Sequence, residues 1–389
     1  MGNLYQFQTA NHIISGKDSI KQISDHLKIL NIEIRNILMI AQPSMIKHGF
    51  VDHIQQQLEK ENIKADINTD ILPEPTANNI NEVFQSISAN EYDALIGIGG
   101  GSVLDATKIL SVMFTNAGSI EDKLGTDLVK NKGIPTVLIP STAGTGSEVT
   151  PNAIVTLPDE ELKIGMVSKY LLPNLVILDP VLTLSLPKHI TAATGMDAFT
   201  HAFESFISNK ANLISDMFAL ESIRLISDSI VEAYENGSNI EAREKMLVGS
   251  MYGGMALTSA GTAAVHALAY PLGGKFNISH GVANSMLLPY VTEFNLDSIR
   301  NKMHAVADAM KMDTANLSED EAARAVIDKI REWTEVLEIP QNLKSYGVSE
   351  SHLKEISIAA SKVTRLLNNN PKEMSLRDIE EVYRKLLEE

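Results

Sequence analysis

"ALIGIGGGSVLDATKIL" (residues 94–110) decides how the first half of the chain is read. A short apolar run of β type passes through three consecutive glycines, Gly99 to Gly101, into a helical pattern. The same grammar recurs along the first half. "RNILMIA" (35–41), "PTVLIP" (135–140) and "NLVILDP" (174–180) are further strand candidates, and "HIQQQLEKE" (53–61) closes a helical stretch. Strand, turn and helix in repetition predict a parallel, doubly wound sheet. From about residue 185 the texture changes. "LPKHITAATGMDAFTHAFESFIS" (186–208) begins a series of helical patterns that runs to "SLRDIEEVYRKLLEE" (375–389), with almost no strand-like runs. The predicted organisation is an α/β domain over 1–186 and an all-helical domain over 187–389. The cleft between two such lobes and the C-terminal ends of parallel strands are where ligands are expected.

Whole-chain properties narrow the function. The 389 residues carry a net charge of -16 and no Lys/Arg run, which argues against nucleic acid and anionic membrane as main partners. There are no cysteines, so disulfides, thiolate nucleophiles, iron–sulfur clusters and Cys-based zinc sites are excluded. Any metal must be held by His, Asp or Glu. "MGNLYQFQTANHIISG" does not read as a signal peptide, and no apolar run is long enough to cross a bilayer. The expectation is a cytoplasmic enzyme.

The glycines after the strand suit a phosphate. They let the backbone approach closely, and the helix that follows offers free N–H groups and the positive end of its dipole. The pattern is not G-x-G-x-x-G, because Ser102 occupies the last position, and a lone glycine run is equally a tight structural turn. "PSTAGTGSEVTP" (140–151) follows another strand candidate, and its hydroxyls, Ser141, Thr142 and Thr145, suit a diphosphate or ribose. Two polar glycine loops at successive strand ends favour a bound nucleotide.

A second constellation lies in the helical half. In "TGMDAFTHAFESF" (194–206), Asp197 and His201 stand at i and i+4 on one helix face among apolar neighbours. A carboxylate buried there must be paired or bound to a metal. A simple Asp–His pair stapling the helix also meets that need. His266 sits in "GTAAVHALAYPLGG" (261–274), a helix-like stretch expected to stop at Pro271 and Gly273. His280 opens "HGVANSMLLPY" (280–290). Either histidine alone reads as a satisfied core residue. Together the four residues offer one carboxylate and three imidazoles, a set suited to Fe²⁺ or Zn²⁺.

These residues resemble the iron-containing (group III) alcohol dehydrogenases, a group that includes lactaldehyde reductases and 1,3-propanediol dehydrogenases. "GGGSVLDATK", "PSTAGTGSEVT", "ATGMDAFTHAFE" and "HALAYPLGGKFNISHGVANSMLLPY" resemble its signatures in order and spacing. The resemblance implies the dehydroquinate synthase-like two-domain fold, with an N-terminal dinucleotide-binding lobe and a helical metal-binding lobe. It implies Asp197, His201, His266 and His280 as metal ligands, with Fe²⁺, Zn²⁺ or another divalent ion bound. It places Gly99, Gly100, Gly101, Ser102 and Asp105 at the pyrophosphate, Ser141, Thr142 and Thr145 in the second cofactor loop, and Lys163 at the cofactor ribose. The activity implied is hydride transfer between a small primary alcohol or diol and NAD or NADP, the metal polarising the substrate oxygen. Leu257 is expected in the substrate pocket, and a homodimer or larger homo-oligomer is implied.

Two positions depart from the family pattern. NAD-preferring relatives commonly carry an aspartate after the second strand, where this chain has Gln42, which neither repels a 2′-phosphate nor grips the ribose diol as a carboxylate does. Many relatives have a histidine where this chain has Tyr270, so a proton relay assigned to that histidine passes to the tyrosine only as a candidate catalytic role. A hydroxyacid–oxoacid transhydrogenase on the same fold is the alternative activity. A glycerol dehydrogenase, a phosphate-handling cyclase and a nucleotide-binding protein without activity are further readings. The cyclase lacks its basic pocket in this sequence.

Overall fold

A computed structural model describes residues 4–157, 162–314 and 316–388. The chain separates into two compact units. One comprises Gln8–Thr142 and Gly146–Ser185, and the other Leu186–Glu389 with Ala143–Thr145 and the described residues of Met1–Phe7.

Among its described residues the first unit has nine strands, β1 (His12–Ser15), β2 (Asn36–Ala41), β3 (Lys64–Asn68), β4 (Ala94–Gly99), β5 (Gly125–Thr126), β6 (Thr136–Pro140), β7 (Asn152–Leu157), β8 (Leu162–Val167) and β9 (Leu175–Leu178). Six form one sheet in the order β1-β9-β6-β4-β2-β3, and every pairing in it is parallel. This is the doubly wound sheet expected from the sequence. Its strand order reverses between β2 and β4, so the chain leaves the C-terminal ends of these neighbours in opposite directions, the place where sheets of this type bind ligands. A smaller sheet, β5-β8-β7, was not expected; in it β7 and β8 run antiparallel.

Helices α1 (Phe50–Lys60), α2 (Ala77–Ile87) and α3 (Gly101–Met113) cover the larger sheet. The strands alternate between its faces. Ile96 and Ile98 of β4 pack with Ile54 and Leu58 of α1, while Leu95 packs with Ile109 and Leu110 of α3 and Ile80 of α2. Gly97 explains how closely α3 lies on β4. A Cβ there would stand 2.5 Å from Thr107 Oγ1 and 3.1 Å from Leu138 Cδ2, so only glycine permits the approach.

The second unit is helical, as expected. Its central element is α4 (Lys188–Ile207), buried along most of its length, with α5 (Leu213–Ser227), α6 (Ile240–Ala260) and α8 (His280–Ile299) packed against it. A helix apolar on every side must be enclosed, and the apolar residues of α4 show this. Phe199 stacks along the helix on Phe203 and meets the Trp333 ring of α9 (Glu319–Val336) edge-on at 5.1 Å.

Helix α7 (Ala264–Phe276) corrects the sequence reading at Pro271. The helix does not stop there; Pro271 lies inside it, and the end comes at Asn277, which takes the left-handed conformation at φ 54°. Proline removes one backbone donor, but Pro271, Leu272 and Gly273 are all buried, and their packing outweighs the lost bond. Helices α10 (Glu350–Ser361), α11 (Thr364–Leu367) and α12 (Leu376–Glu388) follow α9 in the chain. Among the described residues no helix is long and apolar enough to cross a membrane.

Candidate metal centre and cofactor loops

Three helices of the second unit bring four ligand-type side chains together. Asp197 and His201 are one turn apart on α4, His266 is in the first turn of α7, and His280 is the first residue of α8. One ligand atom from each lies within 4.8 Å of the others. The Nε2 atoms of His266 and His280 are 3.9 and 3.8 Å from Asp197 Oδ1. Asp197, His201 and His266 are buried, and His280 is partly open. The approach of α8 to α4 depends on Gly281. A Cβ there would lie 2.2 Å from the Ala193 carbonyl oxygen, so any side chain would push α8 away from the helix that carries Asp197 and His201.

The surroundings fix the histidine rings. Glu204, also on α4 and fully buried, accepts from His266 Nδ1–H at 2.7 Å and from the backbone N–H groups of Ala263 at 2.9 Å and Val265 at 2.6 Å. One carboxylate thus caps the start of α7 and sets the His266 tautomer, leaving Nε2 as the acceptor atom. His201 Nδ1–H donates to the Gly144 carbonyl at 3.2 Å, which frees its Nε2 in the same way. Asn284, one turn after His280, donates from Nδ2 to Asp197 Oδ1 at 2.7 Å, and its own Oδ1 is buried without a partner.

Charge follows this geometry. Burial holds the His201 imidazole below the usual histidine range, so it is neutral and able to ligate at neutral pH. Burial alone would raise Asp197, but the three imidazoles and the Asn284 amide more than offset it and keep the group a carboxylate. Three imidazoles around one carboxylate form a donor set that fits a divalent ion, with the Asn284 amide nitrogen 3.2 Å from Nε2 of His266 and of His280.

Tyr270 is one turn beyond His266, with its ring centroid 6.1 Å from that of His280. Burial raises its phenol above the ordinary range, against the pull of the nearby Arg365 guanidinium. The tyrosine therefore keeps its proton at neutral pH.

Of the residues expected to hold a cofactor, Gln42, Gly99, Gly100, Gly101, Ser141 and Thr142 lie in the first unit at the C-terminal ends of β2, β4 and β6. Gly100 N–H donates to Gln42 Oε1 at 3.1 Å, Ser141 N–H donates to the Gly99 carbonyl at 2.9 Å, and a Cβ on Gly100 would touch Thr142 at 3.5 Å. Gly101 opens α3 directly after this turn. Ser102 Oγ accepts from Glu74 N–H at 3.0 Å, and the Glu74 carboxylate pairs with Lys163 Nζ at 2.9 Å. Glu74 was not singled out in the sequence, yet it draws Ser102 and Lys163 to one place. Thr145 belongs with Ala143 and Gly144, the segment that clusters with the helical unit.

Asp105 faces into this unit. Its oxygens accept from Ser147 Oγ at 2.5 Å and from Ile154 N–H at 3.0 Å, and Oδ1 is 3.1 Å from Lys108 Nζ. Lys108 is itself buried and donates to the carbonyls of Ser147 and Asn152. The pair ties α3 to the loop after β6. Beside it, burial pushes the Glu148 carboxyl up to about 7.

Comparison with known proteins agrees with this arrangement. Residues 10–180 match the model of the iron-containing alcohol dehydrogenases, and residues 191–387 match that of the C-terminal part of the Fe-containing alcohol dehydrogenase family. The chain belongs to the iron-containing alcohol dehydrogenase family and is an oxidoreductase acting on alcohols. It is 38% identical to long-chain-alcohol dehydrogenase 1 of Geobacillus thermodenitrificans over 97% of this chain and 95% of that protein. A crystal structure of 1,3-propanediol oxidoreductase superposes with a TM-score of 0.94 at 32% identity, covering 99% of this chain and all of the other. A sulfoacetaldehyde reductase from Bifidobacterium kashiwanohense, solved in complex with NAD⁺, superposes with a TM-score of 0.87 at 27% identity over 99% of both chains.

Proposed function

We propose that this chain is a metal-dependent, NAD(P)-linked dehydrogenase that interconverts small primary alcohols or diols with their aldehydes. The observation that carries the reading is the convergence of Asp197, His201, His266 and His280, with Nδ1 of two histidines tied back by Glu204 and Gly144. These four residues are the proposed ligands of Fe²⁺ or a similar divalent ion. When bound, the ion polarises the substrate oxygen, and the nicotinamide carries the hydride.

The chain's own residues do the rest. Glu204 and Asn284 orient His266 and Asp197, and their hydrogen bonds hold the donor set in place between turnovers. Leu257, half-buried one turn beyond Gly253, whose own Cβ would lie 3.6 Å from His201 Cβ, is the proposed apolar wall for a short carbon chain. Tyr270 retains its proton at neutral pH and so serves as a hydrogen-bond donor and pocket wall rather than a base. The glycine turn of residues 99–101, with Ser102, Ser141, Thr142 and Lys163, is the proposed cofactor cradle. Asp105 contributes by holding the loop after β6 in register with α3. Gln42 brings no charge to the adenosine end, so the reading includes use of both NADH and NADPH. A cytoplasmic location and a homo-oligomeric state belong to the same proposal.

The test is a panel of short aldehydes assayed with NADH and with NADPH, on protein reconstituted with Fe²⁺ or Zn²⁺. Oxidation of free reduced cofactor supports the dehydrogenase. Turnover confined to a paired hydroxyacid and oxoacid would replace it with the transhydrogenase reading.

A further inference from the structure

A loop, a helix start and a strand pair of the first unit meet at one carboxylate that the proposed reaction does not use. Glu74 lies between Pro73 and Pro75, in the connection from β3 to α2. Its backbone takes the left-handed conformation at φ 50°, which residues other than glycine seldom adopt and keep only where the surroundings fix it. The surroundings do so here. Glu74 N–H donates to Ser102 Oγ, in the first turn of α3, at 3.0 Å. The next carbonyl, that of Pro75, accepts from Thr156 N–H of β7 at 3.0 Å. Thr156 stands directly opposite Lys163 in the β7–β8 ladder. Lys163 Nζ thereby comes to 2.9 Å from Glu74 Oε1.

The two ends of this ion pair differ. The Lys163 side chain is 7% exposed and that of Glu74 45%. A buried ammonium needs a counter-charge, and among the described residues Glu74 is the one carboxylate within ion-pair distance of it. Water reaches the glutamate side, so the carboxylate can leave the pair at small cost. Ser102 and Lys163 both belong to the proposed cofactor cradle. The diphosphate of a dinucleotide carries two negative charges and is drawn to the same ammonium.

We infer that Glu74 is a resident counter-ion that competes with the bound dinucleotide for Lys163, and so weakens cofactor binding and speeds cofactor release. The inference rests on the cofactor reading of these loops and adds to it the residue that sets affinity. Glu74 takes no part in hydride transfer. It acts through Lys163, holding the ammonium beside Ser102 and yielding it to the diphosphate, and is a positioning residue. Release of cofactor limits turnover in many enzymes of this kind, which gives such a competitor a use.

The experiment measures binding of NADH, NADPH and ADP-ribose by calorimetry, and dissociation of the reduced cofactor by stopped-flow displacement, on Zn²⁺-loaded protein. The set is wild type, Glu74→Gln, Lys163→Met and the double variant, each checked for folding by circular dichroism. We expect Glu74→Gln to bind ADP-ribose and the reduced cofactor about 3- to 10-fold tighter, with slower dissociation by a similar factor. Lys163→Met should weaken both, and adding Glu74→Gln to it should change affinity by less than about twofold. A folded Glu74→Gln protein with unchanged or weaker binding would overturn the inference, and so would an equal gain in the Lys163→Met background. In either case the cofactor reading stands. If wild type binds none of the three ligands, that reading falls, and the inference falls with it.

Discussion

Glu204→Gln isolates the part of the site that sequence reading overlooked. The side chain is buried and keeps nearly the same shape, but an amide has only one acceptor oxygen. In the wild type, Oε1 accepts from Val265 N–H, and Oε2 accepts from Ala263 N–H and His266 Nδ1–H. Whichever way the amide turns, its NH₂ faces at least one buried N–H. The smaller loss leaves Val265 N–H without a partner. A charge-assisted bond of about 1.5–3 kcal/mol disappears, and a buried donor is stranded at about 1–3 kcal/mol. A net destabilisation of about 3 kcal/mol follows, a fall in Tm of roughly 8 °C for a unit of this size. The remaining carbonyl no longer holds the imidazole as a carboxylate does, and metal affinity should fall about 10- to 100-fold. Differential scanning calorimetry of the metal-free protein and chelator competition for Fe²⁺ or Zn²⁺ measure the two effects separately. An unchanged affinity together with a Tm within about 2 °C of wild type would refute the assignment of Glu204 as the residue that orients His266.

Three further expectations follow from particular contacts. Glu148, raised from 4.5 to about 7 in the folded chain, favours folding when protonated, so its contribution is full below pH 4.5 and is lost as pH rises through 7. Glu148→Gln should match wild-type stability near pH 5 and exceed it by up to about 3 kcal/mol at pH 8, and a difference that does not vary with pH in denaturant titrations would contradict this. Gly281→Ala places a Cβ 2.2 Å from the Ala193 carbonyl oxygen, so α8 must shift. Metal affinity should fall by about tenfold or more, and retention of wild-type affinity would show that His280 tolerates the displacement. Tyr270→Phe should leave the pH–rate profile between pH 6 and 9 in place, because the phenol keeps its proton there, whereas a limb moved by about one unit would make the tyrosine a proton carrier.

Much of the architecture was legible because its signals are local. The apolar run of β4, its glycine turn and the helix start at Gly101 lie in one continuous stretch, and strand–helix alternation determines a parallel sheet almost by itself. The candidate ligand set was legible as residue types, because one carboxylate and three histidines stand out in apolar surroundings. Glu204 was not, although it lies three residues after His201 on the same face of α4. Its purpose appears only once the N-terminus of α7 arrives beside it. Asn284 is similarly four residues after His280, and nothing in its own surroundings marks it. Asp105 was grouped with the cofactor loop from its position in the glycine motif. The direction of its side chain, toward Ser147 and Lys108, depends on tertiary packing that a local pattern does not encode. Pro271 misled for the related reason that local helix-stopping chemistry yields to burial on both sides of the residue.

The central claim is that Asp197, His201, His266 and His280 form a single ion site on which turnover depends. The direct measurement is the metal content of wild type and Asp197→Ala after anaerobic reconstitution with Fe²⁺, together with NAD(P)H-linked aldehyde reduction on the same samples. The account expects one ion per chain and turnover in wild type, with both lost in the folded variant. An Asp197→Ala protein that keeps its ion and its activity would contradict it.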